Sequence, residues 1–178
     1  RITGTGSCIP DITKKNSDFL ENKFLDTDGG KFQTSNSEII DKFNSITGIY
    51  ERRYAPDGIN CSDLAAVAAG LAINDSKLDQ ETLDYIIVAH NTGDISCSSG
   101  QVDTLPSVAS KVKAKLKIKN PNCVAYDIIC GCPGWVEGII QAKSFIKSGM
   151  AEKCLVIGCD TLSRIRSEER RVGKECER

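Results

Sequence analysis

The chain has 178 residues, 40% of them hydrophobic, and sets 23 lysines and arginines against 24 aspartates and glutamates. A chain of this length can bury the core of a globular domain, and its near-balance of charge excludes a dedicated nucleic-acid binder. No apolar run approaches the roughly 18 residues that cross a bilayer, and no basic, apolar export signal opens the chain, so the expected setting is cytoplasmic, without a membrane.

Nine cysteines in such a setting read as thiols: Cys8, Cys61, Cys97, Cys123, Cys130, Cys132, Cys154, Cys159 and Cys176. They form no CxxC pairs and share the chain with a single histidine, so no metal site is expected. Most of them fit small buried apolar positions.

Short apolar runs alternate with amphipathic stretches along the chain, the pattern of an α/β fold with a largely parallel sheet. Residues 1–9 are expected as a first strand ending at Pro10, and residues 11–34 as a loop with short helices. Ser37 is a candidate cap for a helix to Ile46, stopped by Thr47-Gly48. A second helix is expected from Ser62 as cap to about Asn74. The run 85–89 lacks polar alternation and reads as a strand covered on both faces. Pro106-Ser107 opens a helix with Val108, Val112 and Leu116 on one face. Residues 123–129 and 154–159 are further strands. Between them a helix over 133–148 has an apolar stripe of Trp135, Ile139, Ala142 and Ile146, flanked by Val136 and Ile140, with Gly149 at its end.

Two nucleotide-binding signatures are absent. Gly4-Thr-Gly6 lacks the third glycine and the following helix, and no GxxxxGK[ST] occurs. The chemistry concentrates instead in Asp127-Ile-Ile-Cys-Gly-Cys-Pro-Gly-Trp135, where a strand meets the most amphipathic helix. Cys132 at that turn faces the free N–H groups and positive end of the helix, a setting that makes a cysteine a nucleophile. Pro133 suits the first helical position, and Gly131 and Gly134 clear space beside the thiol. The arrangement is the cysteine counterpart of a nucleophile elbow, and a packing role for the same residues is the alternative. Cys130 is expected in the core beside Ile128. His90, in a loop after its strand, reads as structural rather than as a base.

The series Gly4-Thr-Gly-Ser, Thr47-Gly-Ile-Tyr-Glu-Arg-Arg53, Ser62-Asp-Leu-Ala65, Asp84-Tyr-Ile-Ile-Val-Ala89, Leu105-Pro-Ser107, the Cys132 elbow and Thr161-Leu-Ser-Arg164 resembles β-ketoacyl-acyl-carrier-protein synthase III. The resemblance implies the N-terminal half of a thiolase-like fold, layered α/β with a mixed, mostly parallel sheet, over residues 1–165. It implies that Cys132 takes an acyl group from an acyl-CoA substrate as a thioester, its own backbone N–H helping to bind the oxyanion. Malonyl-acyl carrier protein then loses carbon dioxide and condenses with that group, a step of fatty acid biosynthesis needing no permanently bound cofactor.

The family's His and Asn for decarboxylation belong to the second half of its fold, and His90 matches neither. A fragment is therefore expected to be inactive and to expose the face that the second half covers. The resemblance also implies a homodimer in which Leu105 reaches the partner's acyl pocket. Lys42 and Ile46 stand where close family members place a Trp and an Arg against the coenzyme A adenine. Cys130-Gly131 replaces a pair of alanines, which suggests a branch of the family. A hydroxymethylglutaryl-CoA synthase-like or secondary-metabolite synthase, or a non-catalytic acyl-binding partner subunit, remains the alternative. Residues 166–178, from Arg166-Ser-Glu-Glu-Arg-Arg171 onward, resemble a translated DNA-sequencing adapter and are expected to be a non-native tail in which Cys176 carries no meaning.

Overall fold

The computed structural model describes residues 1–26, 28–96 and 99–164, and the expected tail lies outside them. Two compact units divide the described chain: residues 10–56, and residues 1–9 together with 57–164.

In the smaller unit, β1 (Ile12–Lys15) pairs antiparallel with β2 (Glu51–Tyr54), Ile12 opposite Tyr54. β1 falls in the stretch expected to be a loop, because its pairing comes from a partner some forty residues away and leaves no local period to read. Between the strands runs α1 (Asn36–Thr47). Its cap is Ser35 rather than Ser37, since only Ser35 has a glutamate three residues on. The Ser35 hydroxyl accepts from Glu38 N–H while Glu38 accepts from Ser35 N–H, a reciprocal capping box. Gly48 ends the helix at φ 66°, as expected. The Arg52 guanidinium lies 5.4 and 5.5 Å from the ring centres of Phe19 and Phe43, and Phe24 meets Phe43 edge-on.

The larger unit opens without the expected first strand. Residues 1–9 belong to no ladder and lie along α2 (Cys61–Ser76), where Thr5 N–H donates to Asp75 at 2.9 Å. Gly4 and Gly6 allow that approach. A Cβ on Gly4 would stand 2.4 Å from Ala72 O, and one on Gly6 2.3 Å from Ala68 O. Asn60 caps α2, and Asp63 accepts from Asn60 N–H at 2.8 Å. Ser62, the expected cap, sits inside the first turn, buried, and donates its N–H and hydroxyl to Asp94.

β3 (Tyr85–His90) is the central strand, flanked in parallel by β6 (Val124–Ile129) and β7 (Cys154–Gly158). Ile86, Ile87 and Val88 are fully buried, as an unalternated apolar run requires. β4 (Asp94–Ile95) and β5 (Val102–Asp103) form a short antiparallel ribbon, too brief to have shown a period. Ser107 caps α3 (Val108–Lys115), which buries Val108 and Val112 as its spacing predicts. The core of this unit packs α2 and α3 against the sheet through Ala65, Ala69, Val108, Val112, Ile86 and Val88.

α4 (Gly134–Lys147) lies where expected, but of its expected apolar stripe only Ala142 is buried, and glycines make up the rest of the buried face. Gly134, Gly138 and Ala142 are buried, while Trp135, Val136, Ile140 and Ile146 are each about half exposed. Small residues let the helix settle on β3 and β7: a Cβ on Gly138 would come within 2.9 Å of Val156. The larger apolar side chains then splay outward, since close approach of the helix axis leaves no room for them beneath it.

Gly6→Ala should destabilise the protein by about 1–3 kcal/mol, because its methyl meets helix backbone that cannot yield. Denaturant midpoints of the variant and the parent check this, and equal midpoints would refute the tight packing.

Candidate active site

The strand order β6-β3-β7 carries three strand ends to one edge of the sheet. His90 is level with Ile129, and Ala89 with Gly158, so Asn91, the turn after Ile129 and the segment after Gly158 emerge side by side. Parallel α/β sheets bind their ligands at this edge.

At the β6 end, Gly131 adopts φ 66°, a left-handed conformation that turns the chain sharply into α4. Gly134 N–H closes that turn onto Gly131 O at 3.0 Å, and Glu137 N–H bonds Pro133 O. Cys132 sits on the outside of the turn, exposed, one residue before Pro133 at the helix cap. Gly134 brings the helix start onto β3, where a Cβ would lie 3.2 Å from that of Ala89. Trp135 covers Gly158 of β7, its Cδ1 3.1 Å from where a Cβ would be. Cys130, expected in the core, is exposed. Pairing stops at Ile129, so the strand alternation that would have turned Cys130 inward no longer applies.

Two polar residues that the sequence reading left unassigned support this turn. Asp160 accepts from Asn91 N–H at 3.0 Å and from the Asn91 side-chain amide, tying the loop after β3 to that after β7. Asn91 Oδ1 is thereby held beside the elbow, 3.7 Å from where a Cβ on Gly131 would stand. Their only sequence signal is position: each is among the first polar residues after an apolar strand.

His90 is the last residue of β3, buried, and not in a loop. Its Nε2 lies 3.0 Å from Asp127 Oδ2, and Asp127 also accepts Val108 N–H and Ala109 N–H at the start of α3 at 2.7 and 2.8 Å. Ala89 faces α4, so the alternation of β3 sends His90 to the opposite face, away from the helix that Cys132 opens. The structural role expected of His90 is what this geometry supports. Burial pushes the Asp127 carboxyl up, but the donors from His90, Ala109 and Val108 outweigh it and hold Asp127 below the usual carboxylate range.

Leu105 precedes α3 and is 81% exposed. Lys111, on α3, bonds Asp94 and Asp103 at 3.1 and 2.8 Å, fastening the β4–β5 ribbon beside the Leu105 segment. Lys42 and Ile46 are both exposed on α1, in the smaller unit. Among the described residues no cluster of side chains suits a metal, and no helix is long and apolar enough to cross a membrane.

Comparison with known proteins finds relatives over most of the chain. The family model described as 3-oxoacyl-[acyl-carrier-protein (ACP)] synthase III matches residues 126–172. The beta-ketoacyl-[acyl-carrier-protein] synthase III of Neisseria gonorrhoeae is 38% identical over 165 residues, and synthase III 1 of Vibrio parahaemolyticus 38% over 164. These alignments take in 93% and 92% of this chain but 45% of each relative, so the chain spans about half the length of the curated relatives it matches. The crystal structure of the synthase III from Aquifex aeolicus superposes with a TM-score of 0.70 at 34% identity, covering 92% of this chain and 45% of that one. The Thermus thermophilus enzyme gives 0.72 at 30%, covering 96% and 46%. OleA of Xanthomonas campestris, at 20% identity and 0.73, shares the fold.

Asp127→Asn should weaken the acid dependence of stability. A carboxyl held low in the folded state contributes fully above about pH 4, its ordinary value, and that contribution is lost as pH falls through its folded value. Denaturant midpoints from pH 7 to pH 3 should drop less steeply for the variant, and parallel curves would refute the assignment. In sequence over most of its length, and in fold, the chain is similar to β-ketoacyl-[acyl-carrier-protein] synthase III proteins, of whose matched members it spans about half.

Proposed function

We propose that residues 1–165 are the N-terminal, thiolase-like half of a synthase III-type condensing enzyme in which Cys132 is the acyl-carrying nucleophile. The observation that carries this is the exposed Cys132 on a left-handed turn between a parallel strand and the start of a 14-residue helix. In the reaction, Cys132 Sγ attacks the carbonyl carbon of an acyl-CoA, and the developing oxyanion lies at the helix start, where its backbone N–H groups favour negative charge. Coenzyme A leaves as its thiol, taking the proton, and the acyl group remains on Cys132. Malonyl-acyl carrier protein then loses carbon dioxide, its carbanion attacks the acyl carbon, and Cys132 is released from the 3-oxoacyl product.

The homologues named for acyl carrier protein support that partner. The outward apolar side chains of α4 fit a face covered in the whole enzyme by further protein. Leu105, strongly exposed here, is read as the residue that enters the acyl pocket of a second subunit in a cytoplasmic homodimer. Residues 166–178 are read as a non-native tail. With His90 turned away from the elbow, no residue of this chain is assigned to decarboxylation.

Incubation of the whole enzyme with a series of acyl-CoA thioesters followed by peptide mass mapping tests the nucleophile directly. The acyl mass should appear on the Cys132 peptide and vanish in Cys132→Ser, whereas acylation confined to other thiols would overturn the reading. In the whole enzyme, Leu105→Trp should cut the rate with long-chain donors roughly tenfold or more while sparing acetyl-CoA, because a filled pocket rejects added methylenes. An unchanged chain-length profile would remove Leu105 from the pocket.

A further inference from the structure

Two cysteines outside the elbow form a contact that the acyl-transfer reading does not use. Cys61, the first residue of α2, is wholly buried, and its Sγ donates to the Sγ of half-buried Cys159 at 3.1 Å. Both backbones are anchored. Cys159 N–H donates to Ala89 O at 3.0 Å, extending the β3–β7 ladder, and the start of α2 is fastened through Ser62 to Asp94. The sulfurs come from different elements, 98 residues apart in sequence, and are brought together by the packing of α2 near the end of β7. Closing to the roughly 2.05 Å of a disulfide needs a shift of about 1 Å.

We propose that Cys61 and Cys159 are an oxidisable dithiol site that hydroperoxides convert to a disulfide. Cys159 is the entry point, since Cys61 has no exposed surface. The Cys159 sulfur attacks the O–O bond of the peroxide, which leaves as water or an alcohol, and a sulfenic acid forms. The Cys61 sulfur then attacks Cys159 and displaces hydroxide, which leaves as water with the Cys61 proton. Two thiols are thus oxidised, one peroxide is reduced, and no other reactant is needed. Burial and the neighbouring Cys159 keep the Cys61 thiol protonated, Cys159 contributing first, so Cys61 serves as the resolving partner and not as the first point of attack. The pair stands one residue from Asp160, whose carboxylate holds Asn91 beside the elbow.

The test is limited oxidation of the protein with hydrogen peroxide, an acid quench, unfolding in denaturant with alkylation of the remaining thiols by N-ethylmaleimide at neutral pH, and mass mapping under non-reducing conditions. A Cys61–Cys159 linked peptide, lost on reduction with dithiothreitol, is expected. In Cys61→Ala, Cys159 should lose its resolving partner and proceed to sulfinic acid, a gain of oxygen in place of the link. In Cys159→Ser, Cys61 should remain fully maleimide-labelled. The proposal fails if Cys61 is recovered reduced while Cys159 is oxidised, or if Cys159 links to another cysteine. It also fails if Cys61 oxidises without Cys159. None of these readouts depends on acyl transfer, so the site and the proposed function stand or fall separately.

Discussion

Parallel pairing on both sides of β3 is the constraint from which the rest of the larger unit follows. A strand hydrogen-bonded to β6 along one edge and β7 along the other must be apolar on both faces, and Ile86, Ile87 and Val88 meet that demand. Because all three strands run the same way, their ends leave the sheet together. The loop after β3, the elbow after β6 and the segment after β7 therefore share one edge, and polar residues far apart in sequence become neighbours there.

The same pairing explains why α4 is built on small residues. A helix that must place its first turn at the strand ends has to lie close to the sheet, and Gly134, Gly138 and Ala142 make that distance available. The cost is a set of large apolar side chains turned outward, Trp135, Val136, Ile140 and Ile146. Trp135 is partly accommodated over Gly158. Cys132 gains exposure from this geometry, since the turn that opens the helix stands clear of the sheet and its glycines leave space beside the thiol.

Polar groups near the edge divide into two sets with different work. On the α3 face, Asp127 gathers His90 and two helix N–H groups, a buried arrangement whose removal would strand several donors. Around the elbow, Asp160 and Asn91 join the ends of neighbouring strands and border Gly131. The alternation of β3 separates the sets: Ala89 serves the α4 side and His90 the other.

The sequence by itself determined what depends on local period and local chemistry. The apolar run of β3, the α3 face of Val108 and Val112, the glycine stop at Gly48 and the glycine-flanked Cys132 turn are all written in neighbouring residues, and each lies where its pattern placed it. Only the tertiary structure decided what depends on partners distant in the chain. The antiparallel pairing of β1 with β2, the closeness of residues 1–9 to α2, the outward stripe of α4 and the exposure of Cys130 carry no local signature. Amphipathicity marks that a helix has an apolar face, but the neighbour's shape selects which residues fit beneath it, and here a close approach favoured glycine and alanine over the larger stripe. The Asn91–Asp160 and Cys61–Cys159 contacts are of the same kind: each pairs residues separated by 69 and 98 positions, which only the folding of β7 beside β3 and of α2 near its end brings within reach.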